Sequence, residues 1–359
     1  MDEKLHKKIN DRREKGTLRS LSSFETLTDF FSNDYLGLST LKLDINNGKS
    51  GGTGSRLISG TTRRILEIEQ SIAAFFGYES ALTYNSGYDA NLGFFSVVPQ
   101  RGDLIVYDEL IHASIRDGIR LSLANGVSFK HNDMVDLKKK IEFSNGAIYV
   151  VVESLYSMDG DLAALRDIVE LTGKPNVFLI VDEAHACGVL GDSGRGLSTA
   201  LGLDEHIFAK LVTFGKAYGS HGAMVFGSAD LIEYLINFSR SFIYTTALPE
   251  YVFERNYNRV YSSEIDERRA ILKEHISLFR NTLDTTNHVS DEVSPIQILE
   301  FGSVDATRAV ACRLQEENFA VKPIFSPTVP EGKERLRICL HSFNTEAQIN
   351  DLIAIVKSC

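Results

Sequence analysis

The chain is short of cysteine, of long apolar runs and of positive charge, and each shortage removes a class of function. Only four cysteines occur in 359 residues, Cys187, Cys312, Cys339 and Cys359, and no two form a CxxC pair. That distribution suits reduced thiols better than a disulfide framework or a zinc knuckle. No stretch approaches about 18 consecutive apolar residues, and the charged segment Met1–Lys15 has no apolar core of the kind found in secretion signals. A membrane protein and a secreted one are therefore poor readings, and a cytoplasmic protein is expected. The 38 Lys and Arg face 48 Asp and Glu, a formal charge of −10, so nucleic acid is not an expected partner, because unspecific phosphate binding needs a basic footprint. No HExxH or GxSxG string occurs either, which leaves zinc hydrolase and serine esterase chemistry without a local signature.

What is present is an ordinary globular composition, 43% hydrophobic, with a length that suits two to three domains of about 150 residues each. Short apolar runs rich in β-branched residues recur at Ala81–Tyr84, Leu104–Tyr107, Ile148–Val152, Val177–Val181, Lys210–Val212 and Ala223–Phe226, and each predicts a buried strand. Helical spacing lies between several of them, as in Ile65, Ile68, Ile72, Phe75 and Phe76, or Leu162, Leu165, Ile168 and Val169. The alternation predicts an α/β fold with a mainly parallel central sheet flanked by helices. After Pro249 the pattern becomes one long helical stretch, Tyr251 to about Leu283, followed by strands at Ser294–Phe301 and Arg335–Leu340 and helices at Ala306–Gln315 and Ala347–Val356. The expected organisation is an N-terminal arm over 1–35, a large domain over 36–248, and a linking helix with a smaller α/β domain over 249–359.

The strand exits carry the chemistry. Asn85-Ser86-Gly87-Tyr88, Asp108 with His112, Glu153 with Ser157, Asp182 with His185, and Thr213 with Lys216 each follow a predicted strand, and open α/β sheets bind ligands beyond the carboxyl ends of their strands. Ser, Asp and Gly also follow strands simply as turn and cap formers; a lysine and two histidines among them need another reason.

Nucleotide motifs fail in detail. Asp182-Glu-Ala-His185 spells the DEAH string of a helicase-like nucleotide-binding module, but the one Gly48-Lys49-Ser50 has Leu43 where a P-loop needs its upstream glycine, and Gly52-Thr53-Gly54 is followed by Leu57 where a dinucleotide fingerprint needs its third glycine. A lysine beside glycines at a strand exit, with an aspartate ending the preceding strand, suits pyridoxal phosphate instead. That cofactor needs an amine for a Schiff base and an acid at its pyridine nitrogen. Lys216 and Asp182 have those chemistries, His185, Ser157 and His112 can meet the ring and its phenolic oxygen, and Ser86-Gly87-Tyr88 can offer amides to the phosphate.

Read together, Phe31–Leu38, Gly54–Gly60, Asn85–Tyr88 with Ala90-Asn91, His112–Ser114, His131–Asp133, Glu153-Ser154 with Ser157–Asp161, Val181–His185, Gly194–Gly196, Thr213–Lys216 and Thr245–Pro249 resemble the α-oxoamine synthases, pyridoxal-phosphate enzymes of fold type I. The resemblance covers nearly the whole chain. It implies that Lys216 forms the Schiff base and acts as general base, that Asp182 pairs with the ring nitrogen, that His112 stacks on the ring, and that His185 and Ser157 bond the phenolic oxygen. It further implies that Ser86, Gly87, Tyr88 and Thr213 surround the cofactor, and that Thr245 or Thr246 reaches the phosphate of a neighbouring subunit in a homodimer with shared active sites. Asn33, Arg19 and Arg337 would serve the substrates, with Arg337 holding the amino-acid carboxylate through its guanidinium fork.

The implied reaction is a decarboxylating condensation of an amino acid with an acyl-CoA or acyl-ACP. L-alanine and a pimeloyl thioester come first; glycine with acetyl-CoA, or another α-oxoamine synthase pair, is the alternative. Arg19, Lys42, Lys49, Arg56, Arg63 and Arg64 are candidate partners for CoA phosphates. Two departures from the family pattern, a short Ser39–Ser50 connection and Ile65 in place of a histidine, touch the acyl donor more than the cofactor.

Overall fold

A computed structural model describes residues 2–21, 23–41, 50–142, 146–283 and 289–359. Lys42 and Lys49, most of the Ser39–Ser50 connection and the Gly48-Lys49-Ser50 string lie largely or wholly outside them. The chain divides into two compact units: 33–157 with 162–270 form the larger, and 1–32, 158–161 and 271–359 the smaller.

The larger unit is built on a seven-stranded sheet in the order Ser80–Tyr84, Ala223–Gly227, Ala209–Thr213, Val177–Asp182, Ile148–Glu153, Leu104–Asp108, Asn125–Phe129. Only Ala223–Gly227 runs antiparallel to its neighbours; the remaining pairings are parallel. Successive residues of a strand point to opposite faces, and here both faces are roofed by helices. Tyr149, Val151, Ile180, Leu211 and Val225 pack with Phe94, Ile115 and Leu235 on one side. Ile148, Val150, Val152, Leu179 and Val181 pack with Leu137, Ile141, Leu165 and Ile168 on the other. Burial on both sides is why these strands read as continuous apolar runs rather than alternating ones.

All six predicted strands of this sheet are present. The seventh, Asn125–Phe129, carries no apolar run, because it lies at the sheet edge with only Phe129 fully buried. The predicted long helix from Tyr251 is two helices, Glu250–Val260 and Glu264–Leu283, separated at Tyr261–Ser263, and the division between the units falls inside the second.

The smaller unit holds a three-stranded antiparallel sheet, Lys322–Ile324, Arg335–Cys339 and Ile296–Glu300. Thr28–Asp29 pairs in parallel with Phe319–Ala320. Its helices include Glu3–Glu14, Val304–Glu316 and Glu346–Ser358.

Candidate active site

Five parallel-running strands of the large sheet end at one edge in polar residues, and a cleft of about 330 Å³ opens there. Asp182 closes its strand with the carboxyl anchored on both oxygens: the Ala184 amide donates to Oδ1 at 2.9 Å and Asn91 Nδ2 to Oδ2 at 2.9 Å. Asn91 also donates to Ser114 Oγ at 3.0 Å. A buried carboxylate needs such donors to offset the water it loses.

Lys216 stands in a tight turn after strand Ala209–Thr213. The turn is closed by Gly219 N donating to the Lys216 carbonyl at 2.8 Å and Ser220 N to the Phe214 carbonyl at 2.8 Å. Gly219 takes φ +54, where a Cβ would stand 2.2 Å from Ser39 N, so only glycine closes this turn. The half-buried Lys216 amine donates to Thr213 Oγ1 at 3.2 Å, and that hydroxyl donates to the Ala184 carbonyl at 3.3 Å.

Helix Gly87–Phe95 begins at the same edge, capped by Ser86, whose Oγ accepts from the Asp89 amide at 3.1 Å. Its first turn offers free backbone N–H groups, the usual seat for a phosphate. A Cβ on Gly87 would stand 2.6 Å from Thr213 Cγ2, so the close approach of helix and strand end depends on glycine. His112 caps helix Ala113–Leu121, its Nδ1 against Ser114 Oγ at 2.7 Å. Loss of hydration depresses the His112 pKa, with Lys216 adding to that effect and Asp182 opposing it. His185 Nδ1 meets Tyr35 Oη at 2.7 Å, and Tyr35 donates to Asn33 Oδ1 at 3.1 Å.

The structure therefore gathers Lys216, Asp182, His112, His185, Ser86, Gly87, Tyr88, Thr213 and Asn33 around one cleft. Ser157 is absent from its lining. Thr245 and Thr246 also stand apart from the cleft, tied to Asn85 Nδ2 through Thr245 Oγ1 at 3.1 Å and the Thr246 carbonyl at 2.9 Å. Arg337 and Arg19 belong to the smaller unit. There Arg337 Nη1 donates to Cys339 Sγ at 2.9 Å, whereas its strand-mate Arg335 pairs with Asp159 at 2.6 Å and Glu300 at 3.0 Å. Arg19 donates to Thr328 Oγ1 at 3.1 Å.

Two expectations need correction. Arg56, a candidate for CoA phosphates, is 7% exposed and fork-bonded to Glu69 at 2.8 Å on both arms, so its charge is neutralised inside the protein. That correction does not reach Arg63 and Arg64, which stay at the surface, 93% and 43% exposed, beside Glu67 at 3.0 Å and Glu254 at 2.6 Å. The DEAH string likewise has a packing explanation. Glu183 is buried and accepts from Leu197 N at 3.0 Å, Ser198 N at 2.8 Å and Ser154 Oγ at 2.6 Å, holding a loop rather than a metal-bound nucleotide.

The sequence reading placed Glu153 at a strand exit and Asn91, Ser114 and Tyr35 inside the family-matching stretches, but gave none of the four a role at the site. Asn91 had one further local signal, a polar residue on the otherwise apolar buried face of helix Gly87–Phe95.

The model of aminotransferase class I and II matches residues 25–356. The chain belongs to that family. It is 40% identical to an 8-amino-7-oxononanoate synthase of Emericella nidulans over 98% of this chain and 94% of the relative. A second such enzyme, from Cellvibrio japonicus, is 39% identical over 92% of this chain and 86% of the relative. Among solved structures, an 8-amino-7-oxononanoate synthase from Francisella tularensis has TM-score 0.78 and 31% identity, covering 93% of this chain and 98% of that one. The serine palmitoyltransferase of Sphingomonas wittichii has TM-score 0.90 and 25% identity, covering 99% and 96%. These relatives bear out the family resemblance and the fold class read from the motifs.

Proposed function

We propose that the chain is a pyridoxal-phosphate-dependent C-acyltransferase that condenses L-alanine with a pimeloyl thioester, on CoA or acyl-carrier protein, releasing carbon dioxide and forming 8-amino-7-oxononanoate for biotin. One observation carries this reading. The Lys216 amine, the doubly anchored Asp182 carboxyl and the open first turn of helix Gly87–Phe95 converge on a single cleft, in a chain 40% identical to an enzyme of that name.

The residues fit the cofactor. Asp182 has an acid for a ring nitrogen, Ser86, Gly87 and Tyr88 bring the start of a helix to the cleft wall, and buried Asn91 Oδ1 and Glu153 Oε1 have no hydrogen-bond partner among the described residues. When bound, the protonated pyridine ring would act as an electron sink for charge developing at the substrate's α-carbon. Asp182 would hold the ring proton, its own orientation fixed by Asn91 and Ala184. Lys216 would tether the cofactor and then move the α-proton, with Thr213 Oγ1 positioning its amine. His112 would cover one ring face, and His185, braced by Tyr35, would meet the phenolic oxygen together with Ser157. Ser86, Gly87 and Tyr88 would receive the phosphate; Thr245 or Thr246 would do so for a second copy in a homodimer. Arg337 would hold the amino-acid carboxylate, with Asn33 and Arg19 near the substrates, in a cytoplasmic enzyme.

Serine with a palmitoyl thioester is the second reading, favoured by the higher TM-score to serine palmitoyltransferase. A TM-score reports the path of the backbone, which the two enzymes share, whereas identity samples the side chains that choose substrates; identity favours the oxononanoate synthases. Assaying alanine, glycine and serine side by side with pimeloyl-, acetyl-, palmitoyl- and succinyl-CoA decides it. Alanine with the pimeloyl donor gives the highest kcat/KM on this reading, and a tenfold preference for another pair removes it.

A further inference from the structure

Two buried polar residues of the cleft wall, Asn91 and Ser114, join side chains that have separate tasks. Asn91 stands on the buried face of helix Gly87–Phe95, and Ser114 in the first turn of helix Ala113–Leu121. The Asn91 amide nitrogen has two hydrogens, and both are taken: Nδ2 donates to Asp182 Oδ2 at 2.9 Å and to Ser114 Oγ at 3.0 Å. The amide cannot be turned over, because its oxygen would then face the Asp182 carboxylate. At the far end the Ser114 backbone N–H, which can only donate, points at His112 Nδ1 at 3.2 Å. That nitrogen is therefore an acceptor, and Ser114 Oγ, 2.7 Å from it, donates to it as well. With Nδ1 accepting from both, the neutral ring carries its hydrogen on Nε2. Donation thus runs outward from Asn91 in both directions, to a carboxyl at one end and an imidazole at the other.

We propose that Asn91 and Ser114 are positioning residues: they tie the Asp182 carboxyl and His112 Nδ1 into one hydrogen-bonded chain and so fix the His112 ring in the cleft wall. The inference rests on reading the cleft as a cofactor site. An imidazole gripped at Nδ1 by donors presents an uncharged face, which can lie on a protonated pyridine ring without like-charge repulsion. The residue that would hold the ring proton and the residue that would cover the ring are then set by one chain.

The test compares wild type, Ser114→Ala, Asn91→Leu and the double variant by two readouts. One is nitrogen NMR of the His112 ring in the protein without cofactor, above the His112 titration midpoint and assigned against His112→Gln; the other is uptake of pyridoxal phosphate followed by visible absorption. In wild type Nδ1 resonates as a bare nitrogen and Nε2 as a protonated one, and the reverse overturns the proposal. Ser114→Ala leaves Nδ1 only its backbone donor, so the ratio of the two tautomers falls about fivefold, the worth of one hydrogen bond, and cofactor affinity falls about threefold or more. Asn91→Leu acts on the ring through Ser114, whose hydroxyl becomes a weaker donor once nothing polarises it; the Nδ1 signal moves in the same direction, and in the Ser114→Ala background it moves no further. Unmoved ring nitrogens in S114A, wild-type affinity in S114A, or a further move in the double variant as large as that of N91L alone each overturns the proposal, since a merely structural role lowers stability and leaves the nitrogens alone. Failure of wild type to take up pyridoxal phosphate overturns the cofactor reading, while the nitrogen signals still judge the chain. Should N91L not fold, S114A decides by both readouts.

Discussion

Gly87→Ala is a small change with a computable consequence. The new methyl would stand 2.6 Å from Thr213 Cγ2, inside any tolerable carbon contact, so Thr213 must turn. A β-branched side chain has few other rotamers, and leaving a favoured one costs about 1 kcal/mol. Its Oγ1 would also leave the Lys216 amine at 3.2 Å and the Ala184 carbonyl at 3.3 Å, at about 1 kcal/mol for each bond. Alanine in the first turn of helix Gly87–Phe95 returns up to about 1 kcal/mol of propensity. The balance is a loss of about 2 kcal/mol, seen as a drop in Tm of about 4 °C, with weaker cofactor uptake because Lys216 loses its rest. Thr213→Ser removes the offending methyl and keeps the hydroxyl, so the double variant G87A/T213S should recover most of both losses. Thermal denaturation and cofactor titration of the four proteins make the cycle. If G87A melts within 1 °C of wild type, or if T213S brings no rescue, the close packing of helix and strand end is not what the glycine serves.

Asp182→Asn keeps the shape of the side chain but removes the charge that would hold a ring proton, so turnover should fall at least a hundredfold, on the order of losing one preorganised electrostatic partner, with an unchanged circular dichroism spectrum; near-normal kcat would reassign the pairing. Glu69→Ala strands the buried Arg56 guanidinium among Phe242 and Phe253 and should cost about 3–5 kcal/mol by denaturant unfolding, whereas a loss below about 1 kcal/mol would show the pair to be dispensable. Because Glu153 holds its proton well above the ordinary 4.5, its contribution to stability is complete below that value and declines as pH rises toward the folded one. Melting wild type against Glu153→Gln across pH should therefore show wild type losing ground as pH rises, and parallel curves would contradict a neutral acid.

The large sheet was legible because its strands are buried on both faces, which writes them as runs such as Ile148–Val152 and Val177–Val181. Asn125–Phe129 was not, since an edge strand exposed on most of its length needs no apolar run. The division inside Glu264–Leu283 was illegible for a related reason: a helix can pass from one unit to the next without a proline, a glycine or a change in polarity. At the site, residues that must sit immediately after a strand, Asp182, Thr213 and Lys216, could be read from position along the chain. Glu153 and Asn91 were legible as positions but not in their roles, because what they do depends on neighbours 29 and 91 positions away, across the sheet edge. Arg56 misled for the converse reason. A basic residue in a glycine-rich segment looks like a phosphate ligand until its partner Glu69, 13 residues on in the next helix, is in view.

The most direct measurement is the visible absorption of the purified protein titrated with pyridoxal phosphate, alongside Lys216→Ala, before and after L-alanine. A band that forms in wild type, shifts with alanine, and does not form before alanine in K216A is the result that a Schiff base on this one amine requires. Identical spectra in wild type and K216A would mean that the cleft is something other than a pyridoxal-phosphate site.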